Sequence, residues 1–117
     1  MRTQRIVVET YPNTRVREFT STKLVSQSDE RFYRPLNKRS KEYLKKVGNP
    51  GAKIIRKVMR ISGVIDIATD SYTIRVIISK AHEWIDIENQ ILKIISEEVF
   101  NKQPDQIEIR NRNIYDL

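Results

Sequence analysis

The side chains that could do chemistry are few. His82 beside Glu83 is the single histidine, and an imidazole serves as a general base only where a pocket and an orienting partner surround it. The sequence supplies neither, so His82 reads as a surface or capping residue at the mouth of a helix. Asp66 and Asp70 flank a turn without the spacing of a calcium loop or the clustering of a transition-metal site. They read as solvated turn carboxylates. Cysteine is absent, which excludes disulfides, a thiol nucleophile and thiolate metal ligands. The expectation is a chain that is no enzyme and holds no cofactor or metal.

Charge is the stronger signal. Residues 31–60 carry eleven Lys or Arg against Glu42 alone, a net +10, whereas the rest of the chain sums to −3. Cations so concentrated attract nucleic acid, an acidic protein or an anionic membrane surface, or they simply keep a helix face solvated. Lys45, Lys46, Lys53, Arg56, Lys57 and Arg60 are the candidate partner-binding residues. No apolar run approaches the roughly 20 residues of a membrane span, and Met1 to Ile6 lacks a signal-peptide core. The chain reads as soluble and cytoplasmic, with an acidic protein or RNA as its partner.

The elements that must position these residues centre on Gly51 to Phe100. Ile54, Ile55, Val58 and Ile61 share one face of a helix over 52–61, with Lys53, Arg56, Lys57 and Arg60 opposite. Gly63 ends it, in the left-handed geometry that only glycine adopts without a Cβ penalty. Ile65 and Ile67, then Ile74, Val76 and Ile78, alternate as the strands of an antiparallel hairpin. From Trp84 to Val99 helical spacing returns through Trp84, Ile87, Ile91, Ile94, Ile95 and Val99, and Trp84 reads as a core anchor.

Upstream, residues 6–9 form a strand that ends at the turn Tyr11-Pro12-Asn13-Thr14, and residues 15–22 form a second strand whose Val16 and Phe19 take opposite faces. Residues 31–34 extend as a short edge strand before Pro35, and 37–47 form an additional helix capped by Asn37 or Ser40. Ile107 and Ile109 alternate as in a short strand, and the end from Asn111 to Leu117 reads as loose. The predicted fold is α+β: a small antiparallel β-sheet with two main helices packed on one face and the extra helix at 37–47. It forms a single domain over 1–117, with core 5–100 and a C-terminal extension 101–117.

Gly48-Asn49-Pro50-Gly51 joins two basic helical segments. A phosphate-binding loop needs four residues between its glycines and a Lys-Ser/Thr pair after them, and this stretch has two residues and Lys53-Ile54. The GXXG loop of an RNA-binding KH domain, which clamps a nucleotide backbone, fits the position better. Pro50 stiffens that clamp, and the plain alternative is that Gly48 ends one element and Gly51 opens the next.

The chain also resembles the N-terminal domain of Nfu-type iron–sulfur scaffold proteins. The family's opening strand and T-P-N-P-N turn have a counterpart in Tyr11-Pro12-Asn13-Thr14-Arg15, with Phe19 in the later aromatic place. Its S-P-L-A-x-x-L-F-x-I-P-G-V helix end is similar to Ala52 through Val64, its F-I-T-V strand to Thr73-Ile74-Arg75-Val76, and its helix-opening Trp to Trp84. Thr14 replaces the second turn proline, the segment before the first family helix is longer and more basic, and the tail beyond Phe100 is extra. The family's C-x-x-C motif lies in a separate C-terminal domain that this cysteine-free chain lacks, so the resemblance implies an accessory module rather than a cluster carrier. The leading expectation is a non-enzymatic module that docks to a partner in iron–sulfur protein maturation. The alternative is a KH-like RNA-binding domain using residues 31–60 and the Gly48–Gly51 loop.

Overall fold

The computed structural model describes residues 3–111; residues 112–117, most of the end read as loose, lie outside them. The elements follow in the order β1 (Arg5–Thr10), β2 (Val16–Ser21), β3 (Glu30–Tyr33), α1 (Lys38–Val47), α2 (Gly51–Val58), β4 (Val64–Thr69), β5 (Thr73–Ile78), α3 (Trp84–Ile95), a π-helical turn over Ser96–Phe100, and β6 (Gln106–Asn111). The fold is α+β, one sheet under three helices. The sheet runs β3-β4-β5-β2-β1-β6, antiparallel at every pairing except β1 with β6.

That parallel pair corrects the expectation of a wholly antiparallel sheet, and connectivity explains it. Strand β5 is antiparallel to β2, which is antiparallel to β1, so β5 and β1 point the same way. A helical crossover returns the chain to run parallel to the strand it left, and α3 is that crossover, carrying the chain from β5 to the free edge of β1. Residues 106–111, read as part of an extension, are therefore a strand of the sheet.

Burial of alternate residues sets the layers. Ile6, Val8, Phe19, Phe32, Ile67, Ile74, Val76 and Ile78 meet Leu44, Val47, Ile54, Ile55, Val58, Trp84, Ile87, Ile91 and Ile95 in one core. Helix α2 touches both α1 and α3, so it is the middle of the helical layer. The last helical stretch ends its α-helical part at Ile95; the π turn then swings Phe100 inward, and the Ser96 hydroxyl donates to the Leu92 carbonyl at 2.7 Å.

The strand over 64–69 departs from simple alternation. The β4–β5 register shifts between Val64, opposite Ile78, and Asp66, opposite Ile77, so Ile65 is an extra, bulged residue that stands 38% exposed. The bulge turns Asp66 to the helix-free face, where it is 6% exposed beneath Arg31, at 2.7 Å. Asp66 is thus a covered strand residue and not a solvated turn carboxylate. Asp70 does belong to a turn, accepting from the Tyr72 and Thr73 amides at 3.1 and 2.9 Å.

The corner between α1 and α2 explains its glycines. Asn37 caps α1, accepting from the Arg39 and Ser40 amides while the Ser40 hydroxyl accepts from the Asn37 amide. Gly48 takes φ +70° at the end of α1, and Gly51 opens α2 against the 23–27 segment. The Gly51 amide donates to the Val25 carbonyl at 2.9 Å, and a Cβ there would stand 2.6 Å from both that oxygen and a Val47 methyl. Gly63, at φ +97°, makes a comparable approach to the His82 ring.

Two outcomes follow. Val76→Ala and Ile91→Ala each remove a fully buried side chain, and chemical denaturation should show a loss of about 2–4 kcal/mol for each. Gly51→Ala should cost about 1–3 kcal/mol by overpacking, although alanine is the better helix former; an unchanged midpoint would show that the corner yields freely.

Candidate interaction surface

The basic segment becomes a surface because two amphipathic helices lie with their apolar stripes down. In α1, Leu44 and Val47 are buried, while Lys45 and Lys46 project outward from the last turn, where cations complement the helix dipole. The Lys46 ammonium lies 5.2 Å from the centre of the Tyr43 ring. In α2, Ile54, Ile55 and Val58 are fully buried, and Lys53, Arg56 and Lys57 are exposed, as is Arg60 just beyond its end. All six candidate partner-binding residues are therefore on the outside.

They are not equivalent. The Lys57 ammonium is 2.6 Å from the Glu98 carboxylate, and that hydrogen bond holds its pKa above the ordinary lysine value. Lys57 ties α2 to the end of the α3 crossover. Lys53, Arg56, Arg60 and Lys45 have no acidic partner among the described residues. Two further cations of the segment are held by the fold: Arg31 pairs with Asp66 and lies 5.1 Å from the Tyr33 ring centre, and Arg34 donates to the Ile61 and Val64 carbonyls, both at 3.1 Å. Hydrogen bonding to Asp66 raises the Arg31 pKa.

The Gly48–Gly51 loop joins these helices with its second glycine buried against Val25 and Val47. In that position Gly51 packs the corner and presents no open backbone to a nucleotide. The geometry offers the KH reading no support.

A cleft of about 780 Å³ opens between the Tyr11–Arg17 segment and the start of α3. Arg15, Lys80, His82 and Trp84 are among its lining. The Trp84 indole donates to the Thr14 carbonyl at 2.8 Å and its ring lies 6.1 Å from Phe19, as expected of a core anchor. Arg17 sits 5.2 Å from the Trp84 ring centre and 2.6 Å from Glu88. His82 is held from both sides, with Nδ1 2.6 Å from the Ser79 hydroxyl and Nε2 3.4 Å from that of Ser62. Sequence reasoning missed the cleft because its walls come from segments about 70 residues apart. The one local signal was the Tyr11-Pro12-Asn13-Thr14 turn.

No protein-family model matches the chain, and no curated protein matches it. Solved structures do. The NifU-like protein from Saccharomyces cerevisiae aligns with a TM-score of 0.61 at 14% identity, over 88% of this chain and 84% of that one. Protein SAV1430 from Staphylococcus aureus aligns in its crystal form with a TM-score of 0.56 at 12% identity, over 75% of this chain and 93% of that one. Its solution structure gives 0.54 at 14% identity, covering 78% and 88%. At such identities the likeness is one of fold, and the chain has an Nfu-like fold.

Proposed function

We propose that this chain is a non-enzymatic docking module that assists iron–sulfur protein maturation by binding an acidic protein through the outer face of α1 and α2. The observation that carries this reading is the row Lys53, Arg56 and Arg60, exposed and without acidic partners among the described residues, on a helix whose other face is fully buried. Cations so placed engage a carboxylate-rich surface without repacking the core, and they steer its approach. The iron–sulfur context rests on the fold shared with a NifU-like protein together with the sequence resemblance to Nfu N-terminal domains. Thiolates are the usual ligands of such clusters and this chain has no cysteine, so the module acts on a cluster protein and is not itself the carrier.

The test compares the parent with a variant carrying Lys53→Gln, Arg56→Gln and Arg60→Gln, leaving Lys57 to its contact with Glu98. Binding of acidic apo-proteins that accept iron–sulfur clusters should weaken about tenfold or more in the variant, with unchanged melting. Equal binding by both proteins would reduce the face to a solubilising surface. If single-stranded RNA is bound instead, with a log–log salt slope of about −0.7 per phosphate contact, the partner class is wrong. Anaerobic reconstitution of the purified chain should leave it colourless; a stoichiometric cluster on it would overturn the accessory role.

A further inference from the structure

The sheet ends on one side at β3, and the backbone of that strand is half used. The Arg34 amide donates to the Ile65 carbonyl at 3.1 Å. The Glu30 amide donates to the Thr69 hydroxyl at 3.4 Å, and that hydroxyl lies 3.5 Å from the Glu30 carbonyl. Successive residues of a strand direct their N–H and C=O groups to opposite sides. Glu30, Phe32 and Arg34 therefore face β4, and Arg31 and Tyr33 direct two donors and two acceptors away from the sheet. No strand lies beyond them among the described residues.

The ground beside this edge is basic and aromatic. A groove of about 280 Å³ runs between β3 and the start of α1, with Tyr33, Arg39 and Tyr43 in its walls. Tyr33 is 60% and Tyr43 44% exposed. Lys38 and Arg39 stand in the first turn of α1, which contains no acidic residue, and neither has an acidic partner among the described residues. Cations there oppose the positive end of the helix dipole, so an incoming carboxylate meets favourable charge from both.

We infer that the β3 edge binds an extended acidic segment of a partner protein by strand addition, with the Arg31 and Tyr33 backbones as its ladder and Lys38 and Arg39 reading its carboxylates. Side chains of an added strand alternate between faces. Those opposite Phe32 point to the helix side, toward Arg39 and Tyr43, and are the acidic ones. Those opposite Arg31 and Tyr33 lie on the helix-free face, and β-branched residues suit them. A second copy of this chain is a poor occupant, because it would bring Arg39 and Lys38 against their own kind and β3 is only four residues long. Nucleic acid is also a poor one: phosphates supply acceptors alone, whereas the edge offers donors and acceptors in alternation. This surface is distinct from the α2 row and stands or falls separately from it.

The probe is a short blocked peptide of alternating glutamate and valine, and the readout is amide hydrogen exchange at Arg31 and Tyr33 by NMR. In the free chain both amides should exchange quickly. With peptide at about tenfold over its Kd, both should slow about tenfold. Peptides N-methylated on every second residue, made in both phases, keep the charge but block one ladder each; one phase should abolish the slowing and the other retain it. Exchanging glutamate for lysine in the peptide, or making Lys38→Glu with Arg39→Glu in the protein, should weaken binding about tenfold. The Lys53→Gln, Arg56→Gln, Arg60→Gln variant should bind the peptide as the parent does. Unaltered exchange at millimolar peptide, equal binding of both N-methylated phases, or equal binding of the lysine peptide would each overturn the proposal. So would protection of these amides that rises with protein concentration alone, which would assign the edge to a second copy, or protection by single-stranded RNA but not by peptide.

Discussion

Helix α2 lying flat on the sheet, wedged between α1 and α3, is the contact on which the rest of the molecule depends. Ile54, Ile55 and Val58 are fully buried there, and each contributes about 1.5–3 kcal/mol by leaving water. Glycine is a weaker helix former than alanine, but at the opening of α2 Gly51 is what allows the close approach to Val25 and Val47. The same seating fixes the outer face: once the aliphatic stripe is down, Lys53, Arg56 and Lys57 have nowhere to point but out. Exposed ion pairs such as Lys57 with Glu98 contribute little beside this, because solvent screens them, and align α2 with α3 more than they hold the fold.

Among the described residues only one face of the sheet has helices over it, so the other must satisfy itself. It does so with cross-strand pairs. Glu18 of β2 lies opposite Arg75 of β5 at 2.5 Å, Thr20 opposite Thr73 at 2.9 Å, and Arg31 of β3 covers Asp66 of β4. Long arginine stems shield the carboxylates while their guanidinium heads stay wet, which is how Asp66 can be so little exposed on a face without a second layer. On the far edge Glu108 of β6 meets both Arg110 and Arg5, and the hydrogen bond from Arg110 holds its carboxyl below the usual range. The shift favours the ionised form in the folded chain, so its contribution is present above the unfolded carboxylate pKa and fades as pH falls through the lowered folded one.

Much of this was legible because periodicity reports burial. The stripe of α2, the alternation of Ile74, Val76 and Ile78, and the inward run Trp84, Ile87, Ile91 and Ile95 all lie in the core as their spacing requires. Asn37 and Ser40, read as alternative caps, act together as a reciprocal pair. What escaped was set by tertiary register. Nothing local in Val64-Ile65-Asp66 says that one residue will bulge and carry an aspartate to the outer face, because the bulge exists only relative to β5. The direction of β6 was hidden likewise: Ile107 and Ile109 alternate in any strand, and only the α3 crossover makes their strand parallel to β1.

The surface was legible in charge but not in its division of labour. A count over residues 31–60 treats every cation alike, whereas the fold commits Arg31, Arg34 and Lys57 to partners within the chain. Several of the remaining exposed cations fall into two groups by element. Lys53, Arg56 and Arg60 crown the middle of the helical layer, and Lys38 and Arg39 stand beside an open strand edge. The first group can offer only charge, since the helix backbone beneath is hydrogen-bonded to itself. The second sits next to backbone groups that no strand pairs among the described residues and whose spacing is fixed by the sheet, and charge combined with a directional ladder discriminates among ligands in a way that charge alone does not. Two basic surfaces of equal sign therefore differ in what they present: α2 offers charge alone, and the start of α1 offers charge beside a strand edge.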